Sequence, residues 1–166
     1  MAISKRLKFI ADQVTPGGVA ADIGTDHALV PLYLLKEGRV KKAIAVDVSS
    51  RCLEKSKQAV IKYGLEGSLE PRLGDGLSKI RPGEADSIII SGMGGCLICR
   101  ILSEGLETAK AAKELILSPH RDEKLVRDFL ADNGFEIVLD EKITDAKKEY
   151  CVIKALPGAF SLKEEP

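Results

Sequence analysis

The sequence predicts an α/β domain with a mostly parallel seven-stranded sheet and an antiparallel last strand. Short apolar runs alternate with longer helical segments along the chain, which is the order of consecutive βαβ units. The last two apolar runs have no helix between them, so we expect them to pair as an antiparallel hairpin. With 166 residues, 45% of them apolar, the chain is long enough for one substantial core.

Each predicted element has a local signal in the sequence. The first helix has apolar residues at three- and four-residue spacing after Ser4, a favourable N-cap residue. The predicted helices are residues 4–14, 28–37, 49–63, 96–112 with a break near Gly105, and 123–133. The predicted strands are residues 19–23, 42–46, 69–73, 87–91, 114–118, 136–141 and 150–156. We therefore expect one domain over residues 1–157 and a frayed tail over residues 158–166.

Composition excludes several classes of protein. The sequence has no run of eighteen uncharged apolar residues, and Lys5, Arg6 and Lys8 interrupt the N-terminal segment, so neither a membrane span nor a signal peptide fits. We expect a cytoplasmic protein. Its four cysteines lie in apolar or helical segments, and the Cys-x-x-Cys of Cys96 and Cys99 has no second Cys or His pair at ligand spacing. We therefore expect neither disulfides nor a bound metal.

The loop after the first predicted strand indicates the class of ligand. Asp22, Ile23, Gly24, Thr25 and Asp26 lie where open α/β sheets bind ligands. A dinucleotide site would need three glycines here to bring a pyrophosphate against the backbone, and only Gly24 is present. Asp22 and Asp26 would repel a pyrophosphate but attract the ammonium and sulfonium charges of S-adenosylmethionine.

Further polar turns follow the next two strands. Asp47 and Val48 follow the second strand, where a carboxylate can accept both ribose hydroxyls. Asp75 lies between two glycines after the third strand and is placed to accept a hydrogen bond from the adenine amino group. Each aspartate alone could equally be a helix cap or a turn residue, but together they converge on one crevice. The predicted cofactor-binding residues are Asp22, Ile23, Gly24, Thr25, Asp47, Val48, Gly74, Asp75, Gly76, Gly92, Met93 and Gly94.

Several motifs resemble those of the bacterial tRNA adenine-N1 methyltransferases typified by TrmK, which modify adenine 22. They lie at residues 21–28 (Ala-Asp-Ile-Gly-Thr-Asp-His-Ala), 72–77, 91–95 (Ser-Gly-Met-Gly-Gly), 115–119, 133–135 and 148–150. The resemblance runs from the N-terminal helix to about residue 156. It implies a Rossmann-like class I methyltransferase fold, in which an antiparallel last strand is usual, with S-adenosylmethionine as cofactor and tRNA as partner.

The chain also departs from that family. The family usually has Tyr where Leu29 stands, Ala where Ser91 stands, and Gln-Pro where Ser118 and Pro119 stand. Family members generally continue into a C-terminal helical domain thought to help hold tRNA, whereas this sequence ends shortly after the core. The net charge is zero, from 25 basic and 25 acidic residues, so any RNA contact must use a local basic patch.

The resemblance and the chemistry together suggest acceptor-side residues. Asp26 is the candidate catalytic residue, because a carboxylate near the adenine would stabilise positive charge that develops on the ring. The glycines after the fourth strand replace the Asn/Asp-Pro-Pro-aromatic motif of enzymes that methylate exocyclic amines, which favours a ring nitrogen. The predicted substrate-binding residues are His27, Met93, Pro119, His120 and Tyr150.

Three alternative functions are left open by the sequence. They are a methyltransferase for a small molecule or a protein, a nicotinamide-dependent oxidoreductase, and a non-catalytic S-adenosylmethionine-binding core that lacks the tRNA-binding domain. The neutral net charge favours the first alternative over an RNA substrate. We expect a monomer or a weak homo-oligomer.

Overall fold

Strands and helices alternate along the computed structural model, which describes residues 2–158. The strands are β1 (Val19–Ile23), β2 (Lys42–Asp47), β3 (Leu69–Leu73), β4 (Ser87–Met93), β5 (Glu114–Pro119), β6 (Phe135–Asp145) and β7 (Lys148–Pro157). The helices are α1 (Lys5–Asp12), α2 (Leu29–Lys36), α3 (Ser50–Tyr63), α4 (Gly95–Glu104), α5 (Leu106–Ala111) and α6 (Glu123–Asp132). A short 3-10 turn at Asp26–Ala28 precedes α2.

The strands form one sheet in the order β3-β2-β1-β4-β5-β7-β6. The pairs from β3 to β5 are parallel, and β7 is antiparallel to both β5 and β6. The predicted mostly parallel sheet with an antiparallel last strand is therefore confirmed. The chain order reverses between the neighbours β1 and β4, and ligands of open α/β sheets bind at such a switch point.

Helices cover both faces of the sheet. The central strands are buried on both sides, so Ile88 and Ile90 of β4 pack in one core cluster and Ile89 packs in the other. The first cluster includes side chains of α4, α5 and α6, and the second includes side chains of α1 and α2. Burial on both faces explains why these strands are continuous apolar runs in the sequence.

The β6–β7 hairpin is longer than the predicted strands at residues 136–141 and 150–156. The ladder continues to the pair Asp145 and Lys148, and the turn residues Ala146 and Lys147 both have positive φ, 49° and 66°. Two-residue hairpin turns need this backbone, but they usually carry Asn or Gly, so this turn lacks the usual sequence signal. The hairpin consequently extends beyond the β5 pairing, which involves only residues 115–117.

The two ends of the chain are described to different extents. Gly158, the first residue of the predicted tail, donates its N–H to the Gly134 carbonyl at 2.8 Å. The rest of that predicted tail, residues 159–166, lies outside the described residues, as does Met1. None of the helices within residues 2–158 is both long and apolar enough to cross a membrane.

Candidate active site

Two cavities lie at the carboxyl ends of β1, β2 and β4, and Gly24 lines both of them. One has a volume of about 440 Å³ and is named here the Asp47 cavity. The other has a volume of about 380 Å³ and is named the Asp26 cavity. Both volumes are typical of small-molecule sites. The switch point of the sheet thus has room for two ligand portions side by side.

The Asp47 cavity combines one buried carboxylate with exposed apolar side chains. Asp47 is 8% exposed, and one of its oxygens accepts the Ser49 N–H at 2.8 Å. Val48 and Leu97 are 67% and 38% exposed. Exposed apolar residues that line a cavity are suited to contact a flat aromatic ring. The lining residues are Ile23, Gly24, Asp47, Val48, Gly74, Asp75, Gly76, Met93, Leu97, Arg100 and Ile101.

Glycines allow close approach between the walls of this cavity. Gly24 has a φ of 73°, and a Cβ at this position would collide with the Met93 methyl group. Gly76 has a φ of 56°, and a Cβ there would lie 3.2 Å from the Ile101 side chain. Both positions need the left-handed backbone that glycine adopts at little cost. The acidic side chain between the glycines, Asp75, lies 3.6 Å from an Arg100 nitrogen.

Asp22 is the most perturbed acid of the site. It is 4% exposed and accepts a hydrogen bond from the Thr25 hydroxyl at 2.9 Å. Burial raises the pKa of the Asp22 carboxyl to about 7; the charge of Asp47 adds to the rise, and the Thr25 hydrogen bond opposes it. No Lys, Arg or His within residues 2–158 forms an ion pair with Asp22, and a bound cation would favour its charged form.

This raised pKa predicts a pH-dependent affinity for a cationic ligand. A ligand ammonium binds the ionised form of Asp22, so its affinity is constant above the pKa of about 7 and falls as the pH drops through it. We expect S-adenosylhomocysteine to bind about tenfold more weakly at pH 6 than at pH 8, as measured by isothermal titration calorimetry. Asp22→Asn should remove most of this dependence. A wild-type affinity that is flat between these pH values would contradict the assignment.

The same raised pKa has the opposite consequence for the unliganded fold. The folded-state pKa of Asp22 lies above the ordinary value of 3.8 for an aspartate, so the folded protein binds the proton more tightly than the unfolded chain. The contribution of Asp22 to the free energy of unfolding is therefore largest at low pH, and it is lost as the pH rises from about 4 to about 7.

The walls of the Asp26 cavity come from several strand ends. Residues of the β1 loop form one wall, and Ser91, Gly92 and His120, at the ends of β4 and β5, form another. The His120 N–H donates to the Met93 carbonyl at 2.9 Å, which fixes the second wall. The lining residues are Arg6, Leu7, Asp22, Gly24, Thr25, Asp26, Leu29, Val30, Ser91, Gly92 and His120.

Three consecutive residues without a glycine have a strained backbone at this cavity. Asp26, His27 and Ala28 have φ values of 25°, 60° and 53°. Such residues cost free energy and cluster at functional sites. The strain places the Asp26 side chain, which is 72% exposed, beside the cavity and 3.4 Å from the His27 ring. Asp26 is thus exposed and Asp22 is buried, although both belong to the same loop motif.

The structure brings the predicted acceptor residues together only in part. Asp26 and His120 line the Asp26 cavity, whereas Met93 lines the Asp47 cavity. His27 does not line the Asp26 cavity, and its Nε2 lies 3.3 Å from the Lys55 ammonium on α3. Buried Pro119 pairs with Met93 across the β4–β5 ladder.

Tyr150, the remaining predicted acceptor residue, contacts a residue that lines the cavity. The Tyr150 ring lies 4.8 Å below the Arg6 guanidinium, and Arg6 lines the Asp26 cavity.

Sequence reasoning missed the residues that helices bring to the site. Arg6 and Leu7 of α1 line the Asp26 cavity, and Leu97, Arg100 and Ile101 of α4 line the Asp47 cavity. These helices have only ordinary amphipathic patterns, because their approach to the strand ends depends on packing across the sheet. The one available signal for α1 was the basic group that contains Arg6.

Comparisons with known proteins match this geometry. A family model described as a methyltransferase domain matches residues 3–153. The chain is 35% identical over 158 residues to the tRNA (adenine(22)-N(1))-methyltransferase of Bacillus subtilis, covering 95% of this chain and 66% of that protein. The crystal structure of the B. subtilis M1A22 tRNA methyltransferase TrmK superposes with a TM-score of 0.91 at 35% identity, covering 95% of this chain and 67% of that one.

The chain belongs to the TrmK family of methyltransferases. Two further relatives were solved with ligands bound. Streptococcus pneumoniae Sp1610, solved in complex with S-adenosyl-L-methionine, has a TM-score of 0.91 at 37% identity, with 95% of this chain and 74% of that chain covered. M. capricolum TrmK, solved with S-adenosyl-homocysteine, has a TM-score of 0.86 at 27% identity, with 95% and 70% covered.

Membership in the TrmK family accounts for the fold and the methyltransferase class predicted from the sequence. The chain spans about two thirds of the length of the curated B. subtilis relative. The oxidoreductase alternative is thereby excluded.

Proposed function

We propose that this chain transfers a methyl group from S-adenosylmethionine to N1 of an adenine in bacterial tRNA, at position 22. The observation that carries the proposal is that a buried acid, Asp22, and an exposed carboxylate, Asp26, line one cavity next to the Asp47 cavity. The similarity to the curated B. subtilis enzyme supports the choice of tRNA adenine as acceptor. A cytoplasmic location accords with that substrate.

The donor-side residues fit S-adenosylmethionine chemically. One oxygen of Asp47 is engaged by Ser49, and no donor in residues 2–158 hydrogen-bonds the other, which leaves it for the ribose hydroxyls. Val48 and Leu97 would contact the adenine ring, and Asp75 would accept from its amino group. Asp22 would hold the ammonium group. When bound, the cofactor supplies an electrophilic methyl group on a sulfonium sulfur.

The protein needs no nucleophile of its own for this reaction. The N1 lone pair of adenine attacks directly, and the walls of the Asp26 cavity would align the base and exclude water. The ring becomes cationic as the methyl group arrives. We assign to Asp26 the stabilisation of that developing charge, because its carboxylate lines the acceptor cavity and pairs with no Lys or Arg within residues 2–158.

The acceptor base must leave its stack to reach this cavity. His120 lines the cavity, and Met93 and Tyr150 lie beside it, so these side chains are the available apolar or aromatic surfaces for the extruded base. The His27 ring lies 3.3 Å from the Lys55 ammonium and does not line the cavity, so it would contact the RNA backbone rather than the base. Pro119 would act by shaping the end of β5.

A methyltransferase for a small molecule or a protein is the second candidate. It is favoured by the net charge of zero. RNA binding is strongly salt-dependent because phosphate contacts release counterions, whereas the affinity for a small uncharged acceptor is not. Salt dependence of turnover thus separates the two candidates.

The decisive experiment is methylation of unmodified bacterial tRNA with labelled S-adenosylmethionine, followed by mapping of the product. We expect one methyl group per tRNA at N1 of adenine 22, with a KM for tRNA that rises steeply between about 50 and 200 mM salt. A tRNA in which adenine 22 is replaced by guanine is the matched control and should accept no label. Label at another nucleotide, or S-adenosylmethionine binding without transfer to tRNA, would contradict the proposal.

A further inference from the structure

The exposed residues that line the Asp26 cavity are Asp26, Gly92 and His120, and they form its mouth. Asp22 and Thr25 lie deeper in the cavity and are buried, and the Thr25 hydroxyl already donates to Asp22 at 2.9 Å. A base that enters from solvent therefore meets a carboxylate and an imidazole first. The carboxylate accepts hydrogen bonds, and the imidazole carries at least one N–H donor in either protonation state.

The backbone around His120 is held against the loop that follows β4. The His120 N–H donates to the Met93 carbonyl and the Gly95 N–H donates to the Arg121 carbonyl, both at 2.9 Å. The imidazole itself makes no hydrogen bond or ion pair with any residue of the described range 2–158. Its Nε2 lies 3.8 Å from the point that a Cβ on Gly92 would occupy. The residue is thus fixed at the mouth, while the polar edge of its ring is free for a ligand.

The proposed reaction decides which edge of the adenine the protein can recognise. N1 must face the methyl group of the donor, so the Watson–Crick edge is not free for a protein contact at that atom. The Hoogsteen edge offers the N6 amino group as a donor and N7 as an acceptor. One acceptor and one donor on the protein match this edge. Asp26 and His120 supply this pair from two walls of one cavity.

We propose that His120 determines the specificity for adenine by donating a hydrogen bond to N7, while Asp26 accepts one from the N6 amino group. This inference rests on the proposed function and extends it to the edge by which the base is recognised. Guanine has its O6 acceptor where adenine has the amino group, so O6 would lie against the Asp26 carboxylate. A pair of groups that matches one base and repels the other discriminates more strongly than shape alone.

The test uses a tRNA in which adenine 22 is replaced by 7-deazaadenine, so that a C–H group stands in place of N7. We expect the ratio of kcat/KM for adenine to kcat/KM for 7-deazaadenine to be about tenfold larger in the wild-type protein than in His120→Ala. The replacement also changes the basicity of N1, but this change affects both proteins and cancels when the ratios are compared. His120→Gln keeps an amide donor and should restore part of the wild-type ratio.

Two controls separate recognition of the base from folding and from surface charge. The affinity of His120→Ala for S-adenosylhomocysteine, measured by isothermal titration calorimetry, should stay within about threefold of the wild-type value, because the donor side is untouched. Lys124→Gln changes an exposed side chain on α6, the helix that follows His120 along the chain. This lysine pairs with Asp128, and its replacement should leave the rates with both tRNAs unchanged.

The outcomes distinguish this inference from the proposed function. A wild-type ratio equal to that of His120→Ala would overturn the inference and leave the proposed function standing, since adenine 22 would still be methylated. Equal losses of S-adenosylhomocysteine affinity and of rate in His120→Ala would place His120 on the donor side and would also overturn the inference. Wild-type protein that methylates neither tRNA would overturn the proposed function itself.

Discussion

Replacing Asp22 by asparagine is expected to weaken S-adenosylmethionine binding by about 100-fold. The substitution removes a buried carboxylate that would pair with the ligand ammonium, and loss of one partner of a buried charge pair costs about 2–5 kcal/mol. Asparagine keeps the size of the side chain and an oxygen for the Thr25 hydroxyl, which donates to Asp22 at 2.9 Å. Isothermal titration calorimetry at pH 8, where the wild-type carboxylate is ionised, measures the effect.

The stability of this variant provides an independent check. Burial disfavours the charged form of Asp22 and raises its pKa to about 7, so the neutral amide should not lower the free energy of unfolding at pH 8. Asp75→Asn is the matched control: its side chain is 62% exposed, so solvent screening should limit the loss of affinity to less than about tenfold. Comparable losses in both variants would argue against a special role for the buried acid.

Replacing Asp26 by asparagine is expected to lower kcat by about 100-fold and to change S-adenosylhomocysteine affinity by less than about threefold. The two aspartates of this loop differ in solvent exposure: Asp22 is buried, whereas the Asp26 side chain is 72% exposed at the acceptor cavity. A carboxylate that stabilises charge arising only on the acceptor ring contributes to the rate and not to donor binding. Single-turnover methylation of tRNA measures the chemical step.

Asparagine is the suitable replacement because it tolerates the positive φ of 25° at position 26. Glu54→Gln removes an exposed carboxylate from nearby α3 without touching either cavity lining, and it should leave the rate unchanged. Equal losses of cofactor affinity and rate in Asp26→Asn would place Asp26 on the donor side instead.

The sequence was sufficient to predict the sheet and the strand ends at which the proposed donor-side carboxylates meet. Asp47 ends a buried strand, and Asp22 is the last residue but one of its strand, so parallel topology alone brings the two carboxylates to one edge. The charges of Asp22 and Asp26 indicated a cationic ligand. The antiparallel β7 was predictable because the connection before it is too short for a crossover helix.

The acceptor half depended on contacts that no local pattern encodes. Arg6 reaches the cavity because α1 packs against the sheet and meets the β6–β7 hairpin, more than a hundred residues away in sequence. That hairpin turns at Ala146 and Lys147, which carry no turn signal. The positive-φ backbone of Asp26, His27 and Ala28 was equally hidden, because no glycine in this segment signals it.

A crystal structure with S-adenosylhomocysteine tests the central claim most directly, namely that carboxylates at the strand ends select and orient a cationic methyl donor. The predicted result has the ribose hydroxyls on Asp47, the adenine beside Val48 and Leu97, and the ammonium on Asp22. The sulfur should then face the Asp26 cavity. Density for the ligand with its amino group turned away from Asp22, or with its ribose outside the Asp47 cavity, would contradict this account.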